Sequence, residues 1–280
     1  MKRAGITAQV RAERDPQAQT AQAARGHLLL GALLALALLI GQAASALGQT
    51  TEQSLPPLPE GIDREALNQV IEDYIRNHPE VIIESLRSME DRQRQAEAEH
   101  RRQVILARSD ALKNDPTSPV FGNPEGSVTI VEFFDYRCGY CRRMVPAMQR
   151  LLEEDPDLRW VMKEFPILGP ESLYASRAAV AAQKQGKYQE FHMALMSDGV
   201  SITDDNVDRI AALVGLDMEQ LKADMESKET QDILARNQEL ARDLGIGGTP
   251  SFVLGDSFLP GAVPEDRLRA LIQEQRDSQG

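Results

Sequence analysis

The fold of this chain is decided by residues 128–146, which read V-T-I-V-E-F-F-D-Y-R-C-G-Y-C-R-R-M-V-P. The first seven residues are mostly β-branched or aromatic, a composition typical of a buried strand. Helix-forming residues follow from about Cys138 to Glu154, and Asp155-Pro156 ends that segment. Pro146 lies inside the predicted helix, so it either kinks the helix or marks an early end. The pattern therefore predicts a strand that leads into a helix with two cysteines in its first turn.

The chain contains two cysteines, Cys138 and Cys141. A bridge that closes so short a loop restricts the unfolded chain very little, so a structural role explains the pair poorly. Free N–H groups at a helix N-terminus favour negative charge, and Cys138 is therefore expected to form a thiolate more readily than a free cysteine. A thiolate attacks disulfides, and Cys141, one turn further on and more buried, can resolve the mixed disulfide. Redox exchange is favoured over a Cu(I) site and over zinc, which needs about four ligands.

The remainder of the chain alternates strands and helices in the order βαβ, helices, ββα, which predicts an α/β fold. The second strand is expected over 160–165, and helical stretches are expected over about 171–197, 204–214 and 217–244. A short strand over 251–254 with a hairpin partner at 257–259 precedes a closing helix over 265–275. Thr249-Pro250, just before that strand, reads by itself as an ordinary turn.

The N-terminal half of the chain carries a separate helical segment. Residues 49–61 read Q-T-T-E-Q-S-L-P-P-L-P-E-G and predict an extended linker. Asp63 stands at an N-cap position, and apolar residues at helical spacing follow it until a wholly polar stretch over 90–103. Because these apolar stripes have no evident core, the segment either folds back on its own chain as a hairpin or self-associates. We expect self-association through residues 62–112.

The first residues are typical of a secretory signal. Basic residues precede an uncharged apolar run over 28–41, and an A-S-A pattern follows at 44–46, which predicts a cleaved signal peptide over residues 1–48. An uncleaved membrane anchor is the alternative, although the run is shorter than the ~20 residues that span a bilayer. The net charge of −12 becomes more negative once this basic segment is removed. Such a surface repels phosphate, so nucleic acid is not expected as a partner.

Three motifs taken together resemble the DsbA-like family of thiol-disulfide interchange proteins in the thioredoxin superfamily. They are F-F-D-Y-R-C-G-Y-C-R-R-M-x-P at 133–146, K-E-F-P-I-L-G at 163–169 and G-I-x-G-T-P-S-F at 245–252. The resemblance implies a thioredoxin domain over 116–280, with a helical insertion over about 170–245.

A fourth motif, N-x-P-E-V-I-x-E-S-L at 77–86, resembles the extra N-terminal region of the ScsC-like branch. Some members of that branch trimerise through this region. The resemblance therefore implies that residues 49–115 form a linker and a helical oligomerisation segment, and that the protein is a homotrimer.

The resemblance also implies roles for the two thiols and for the loop that faces them. Cys138 would be the nucleophile and Cys141 the resolving thiol. Pro250 would be a cis-proline, and Thr249 would offer backbone hydrogen bonds to an extended substrate.

Glu132 stands where the family carries a buried acid, which could take the Cys141 proton. Lys163 on the neighbouring strand is expected to pair with it. The alternative for Glu132 is an ordinary carboxylate at a strand edge.

The residues between the cysteines depart from one pattern of the family. The strongly oxidising members carry Pro-His there, whereas this chain has Gly139-Tyr140. Without an imidazole the Cys138 thiolate is expected to be less stabilised and the disulfide less oxidising. Gly-Tyr, combined with Thr249 before the proline, resembles the disulfide isomerases.

These features predict a periplasmic disulfide isomerase or reductase, with no cofactor beyond its own dithiol. Its expected partners are exported proteins with cysteines and a membrane thiol-disulfide redox partner that keeps it reduced. A DsbA-type dithiol oxidase that acts as a monomer is the first alternative. A copper-sequestering or holdase protein of the periplasm is the second.

Overall fold

A computed structural model describes Pro59 and residues 61–278, and these residues divide into two units at Pro79/Glu80. The predicted signal peptide lies outside the described residues, as does nearly all of the predicted linker. The first unit contains helix α1 (Arg64–Asn77), and Asp63 caps it by accepting hydrogen bonds from the N–H groups of Glu65 and Ala66. The predicted N-cap is confirmed. Among the described residues, no helix is long and apolar enough to cross a membrane.

The second unit begins with the long helix α2 (Glu80–Ala107), followed by the short helix α3 (Ser109–Lys113). The first turns of α2 leave large apolar side chains exposed, whereas Ile105 near its end and Leu112 in α3 are fully buried. These two residues precede the expected domain boundary at 115, yet they pack in the core of the second unit.

The sheet has five strands, which are β1 (Val120–Gly122), β2 (Val128–Phe134), β3 (Leu158–Glu164), β4 (Ser251–Leu254) and β5 (Ser257–Pro260). Their order is β1-β3-β2-β4-β5. The central strands β2 and β3 run parallel, and the other neighbours pair antiparallel. The sequence analysis did not predict β1, because three residues at a sheet edge carry too little periodicity to be recognised.

Between β2 and β3 lies helix α4 (Gly139–Glu154), and Pro146 is inside it. The alternative that the helix ends early at this proline is therefore wrong. The helical insertion between β3 and β4 contains five helices, which are α5 (Pro170–Lys184), α6 (Tyr188–Leu195), α7 (Asp204–Leu213), α8 (Met218–Met225) and α9 (Lys228–Asp243). Helix α10 (Glu265–Asp277) follows β5.

Two predicted helical stretches are each divided in the structure. The stretch over 171–197 breaks at Gly186, whose φ of 68° suits glycine and interrupts the helix. The stretch over 217–244 breaks at Ser227, whose hydroxyl accepts a hydrogen bond from the Thr230 N–H and begins a new helix.

Side-chain alternation along the central strands divides the core into two faces. One face carries Ile130, Phe134, Trp160 and Met162, and it is covered by α4, α10 and parts of the insertion. Both cysteines belong to this cluster, so we call it the dithiol face. The opposite face carries Val131, Phe133 and Val161, and it is covered by α2, α3 and the end of α9. The central strands are thus buried on both sides, as parallel strands require.

Candidate functional site

The two cysteines lie where β2 leads into α4. Cys138 is the N-cap of α4, and its Sγ accepts a hydrogen bond from the Cys141 N–H at 3.4 Å. The turn is closed by the Cys138 N–H, which donates to the carbonyl oxygen of Asp135 at 3.0 Å. Both thiols are free in this structure, so it represents the reduced form of the pair.

The Thr249-Pro250 turn lies opposite the dithiol, at the end of the sheet where β2 ends and β4 begins. Residue Ser251, the first of β4, pairs with Phe133 near the end of β2, and this register brings the two turns together. The Sγ of Cys138 lies 3.2 Å from the carbonyl oxygen of Thr249. The peptide bond between Thr249 and Pro250 is cis, as the resemblance implied.

Hydrogen bonds concentrate on the sulfur of Cys138. A hydrogen bond from the Cys141 thiol contributes most, and with bonds from the Thr249 side chain and from the N–H groups of Cys141 and Tyr140 it lowers the pKa of Cys138 to about 5. Burial opposes this effect but does not cancel it. Cys138 is therefore almost entirely a thiolate at neutral pH, the form that attacks a disulfide.

Cys141 has the opposite electrostatic environment. Its side chain is buried, and burial raises its pKa well above the usual range. Its hydrogen bond to Cys138 and the charge of Glu132 raise the pKa further. The pair thus consists of one reactive thiolate and one protonated thiol that needs a proton acceptor before it can react.

Glu132 is a buried carboxyl group on the dithiol face of β2. Its Oε2 accepts a hydrogen bond from the Trp160 Nε1–H at 2.9 Å. Burial raises the pKa of Glu132 to about 8, and the charge of Cys138 also raises it, while the bond from Trp160 lowers it. The alternative of an ordinary strand-edge carboxylate is therefore wrong, because Glu132 is 4% exposed on a central strand. Trp160 was not anticipated, because only the pairing of β2 with β3 places its indole beside this carboxyl.

The expected pairing of Lys163 with Glu132 is wrong. Lys163 is next to Phe133 in the β2–β3 register, so its side chain projects from the face opposite to Glu132. Its Nζ donates to the Ala111 carbonyl oxygen at 2.7 Å and to Ser118 Oγ at 2.6 Å, and it lies 3.6 Å from Asp115 Oδ2. Lys163 therefore holds α3 and the segment after it against the sheet.

The surface beside Cys138 is formed partly by the two residues between the cysteines. Gly139 is exposed at the first position of α4, and Tyr140 is 60% exposed. The guanidinium of Arg143 lies over the Tyr140 ring at 4.1 Å from its centroid, a cation–π arrangement. Ile167 and Leu168 in the loop after β3 are also exposed.

No group of three or more His, Cys, Asp or Glu side chains within the described part of the chain is arranged to hold a metal ion.

A parallel β2–α4–β3 unit, a dithiol at the start of its helix and a cis-proline turn facing the dithiol define a thioredoxin-fold dithiol protein. Residues 129–273 match the family described as the DSBA-like thioredoxin domain, and the chain belongs to that family of thiol-disulfide oxidoreductases. Residues 63–96 match the N-terminal domain of the copper resistance protein ScsC. The predicted family and fold class are therefore confirmed.

Solved structures and a curated relative agree with this assignment. A thioredoxin-like oxidoreductase from Silicibacter pomeroyi DSS-3 is 50% identical, with 60% of this chain and 97% of that chain covered and a TM-score of 0.59. ScsC of Proteus mirabilis in a transitional conformation is 28% identical, with 75% and 95% covered and a TM-score of 0.57. The probable disulfide bond formation protein D of Bacillus cereus is 30% identical over 173 residues, which cover 57% of this chain and 79% of that protein.

Other curated relatives are much longer proteins. The chain matches the Na(+)/H(+) antiporter NhaA 3 of Salinispora tropica with 29% identity over 155 residues, which are 24% of that protein's length. The chain thus spans about a quarter of such relatives.

Proposed function

We propose that the protein is an exported, periplasmic disulfide isomerase or reductase. The observation that supports this proposal best is the moderate stabilisation of the Cys138 thiolate, with a pKa of about 5. That value lies between the pKa of about 7 in thioredoxin, a reductant, and about 3.5 in DsbA, a strong oxidant. An isomerase needs such an intermediate position, because its mixed disulfide with a client must be able both to form and to be released.

In the first step, the Cys138 thiolate attacks one sulfur of a wrong disulfide in a client protein. A bond forms between Cys138 Sγ and that sulfur, the client's S–S bond breaks, and the other client sulfur leaves as a thiolate. Isomerisation follows when another client thiolate attacks the mixed disulfide and releases Cys138 in its original form. No net oxidation occurs along this route.

In the reductive route, Cys141 attacks Cys138 Sγ and releases the client as a thiolate, leaving a Cys138–Cys141 disulfide. Cys141 must first lose its proton, and Glu132 is the proposed acceptor. Formation of the mixed disulfide consumes the charge on Cys138, which is one of the causes that raise the Glu132 pKa. The carboxylate form of Glu132 therefore becomes more abundant at the step that needs it. Two electrons from a membrane redox partner would then reduce the disulfide again.

The proposed oligomer is supported by apolar side chains at the surface of each unit. Val70, Ile71 and Tyr74 are exposed on α1 of the first unit. In the second unit, five large apolar residues are exposed in the first turns of α2, namely Val81, Ile82, Ile83, Leu86 and Met89. Groups of large exposed apolar side chains such as these are typical of interaction sites. A trimer would place several dithiols around one client.

Refolding of scrambled ribonuclease by the reduced mature protein tests the proposal, with Cys138→Ala as the control. Recovery of ribonuclease activity that the control lacks supports an isomerase. No recovery, combined with rapid oxidation of a reduced peptide by the disulfide form, would instead identify a dithiol oxidase and overturn the proposal.

A further inference from the structure

A second buried carboxyl group, Glu164, lies at the end of β3 and has no part in the proposed reaction. It is surrounded by the polar side chains of four other buried residues. We call these five residues the Glu164 cluster: Tyr136, Glu164, Ser176, Tyr188 and His192. Each of them is at most 4% exposed.

Three hydroxyl groups donate to the Glu164 carboxyl group. Its Oε1 accepts from Tyr136 Oη at 3.0 Å and from Tyr188 Oη at 2.8 Å, and its Oε2 accepts from Ser176 Oγ at 2.7 Å. The Tyr136 hydroxyl also lies 3.1 Å from Nδ1 of His192. Buried polar groups that are satisfied in this way hold their side chains in one arrangement.

The cluster connects the turn before Cys138 to the helical insertion. Tyr136 is two residues before Cys138, whereas Ser176 belongs to α5, and Tyr188 and His192 belong to α6. A hydrophobic residue at position 136 would pack in this site but would make none of these hydrogen bonds. The hydroxyl of Tyr136 therefore adds a fixed attachment at this point of the turn.

A second attachment of the same turn is provided by Asp135. Its carboxylate accepts hydrogen bonds from the N–H groups of Arg137, Ile167 and Leu168 and from Ser172 Oγ, at 2.7 to 3.0 Å. The side chains of two successive residues thus tie the turn to the loop after β3 and to the insertion. The next residues in the chain place Cys138 Sγ among its hydrogen-bond donors.

We propose that the Glu164 cluster positions Cys138, with Tyr136 as the positioning residue that transmits the constraint along the turn. The cluster keeps the sulfur 3.4 Å from the backbone nitrogen of Cys141, whose N–H donates to it, and thereby favours the thiolate. The helical insertion is then a support for the redox centre as well as a cover for the sheet. This inference rests on the proposed role of Cys138 as the attacking thiolate.

The matched variants Tyr136→Phe and Tyr174→Phe test this inference. Each removes one hydroxyl group and keeps the aromatic ring, but Tyr174 lies outside the Glu164 cluster, where its hydroxyl donates to Asp208 Oδ1 at 2.8 Å. The midpoint of the Cys138 thiolate is measured from its ultraviolet absorbance in the reduced full-length protein, and thermal unfolding is measured beside it. We expect Tyr136→Phe to raise the midpoint by about one unit, a tenfold loss of thiolate below it, and Tyr174→Phe to leave it unchanged.

Two outcomes would refute the positioning role of the Glu164 cluster. Unchanged midpoints in both variants would show that the cluster only stabilises the fold, and equal shifts in both would show general loosening. If Tyr136→Phe fails to fold, His192→Phe removes the other contact of the Tyr136 hydroxyl and is expected to raise the midpoint as well. No client protein enters this measurement, so a negative ribonuclease assay would reject the isomerase proposal without deciding this one.

Discussion

The hydroxyl of Thr249 offers a direct test of how the Cys138 thiolate is stabilised. Thr249→Val removes the hydroxyl and preserves the shape of the side chain, whereas Thr249→Ser keeps the hydroxyl and serves as the control. The Thr249 side chain is one of four hydrogen-bonding groups that lower the pKa of Cys138, together with the Cys141 thiol and two backbone N–H groups. Its loss should therefore raise the Cys138 pKa.

The size of the pKa change expected in Thr249→Val follows from the total lowering of the Cys138 pKa. The pKa of Cys138 falls from 9.0 to about 5 against the opposing effect of burial. The Cys141 thiol contributes most to this lowering and the Thr249 side chain is the next of the hydrogen-bonding groups, so we expect its loss to cost roughly one unit. Thr249→Val should then raise the pKa to about 6. At the wild-type midpoint the thiolate fraction would fall from a half to roughly a tenth, and at neutral pH it would hardly change.

Alkylation by iodoacetamide measured across the acid range is the assay, because its rate follows the thiolate fraction. We expect an about fivefold slower reaction of Thr249→Val at the wild-type midpoint and a normal rate for Thr249→Ser. The disulfide should also become less oxidising by about 30 mV for each unit of pKa. An unchanged midpoint in Thr249→Val, or an equal shift in Thr249→Ser, would refute this account of the hydroxyl.

Three further predictions concern the buried charges and the N-terminal helices. Glu132→Gln removes the proposed acceptor of the Cys141 proton, so a trapped mixed disulfide should be released about 10²-fold more slowly in a rapid-quench experiment. An unchanged rate would exclude this role for Glu132. Lys163→Leu should lose roughly 1–3 kcal/mol of stability in urea unfolding, because the buried hydroxyl of Ser118 loses its partner. The thiolate midpoint should stay at the wild-type value, and a shifted midpoint would contradict the placement of Lys163 on the opposite face. We expect the native chain to have the mass of a trimer in light scattering and the double variant Ile71→Lys with Ile83→Lys to have that of a monomer. Equal masses would argue against the helices as the interface.

Much of the fold follows from local sequence signals. The strand over 128–134, the helix that begins after Cys138 and the closing helix from Glu265 were all predicted and are confirmed. Each depends on residues near one another in the chain, such as the β-branched residues of a strand or the Asp-Pro pair that ends a helix. The divided helices of the insertion were missed, because glycine and serine also occur inside helices. Their sequence alone does not show that Gly186 and Ser227 separate two helices here.

Strand register explains the main error about the site. Glu132 and Lys163 lie on adjacent strands, and adjacency alone suggested that they pair. Because side chains alternate between faces, the register that sets Lys163 beside Phe133 sends its amino group toward Asp115 instead. No pattern within either strand specifies that register.

The sequence by itself determined the dithiol, its place at the start of a helix and the alternation of strands and helices, because these depend on contacts within a few residues. Only the tertiary structure decided which distant groups meet there. It brought Thr249 into contact with Cys138, Trp160 with Glu132 and Tyr136 with Glu164. These partners are 111, 28 and 28 residues apart in the sequence. Such contacts follow from strand pairing and from the packing of the insertion on the sheet, since burial brings together residues that no local preference links.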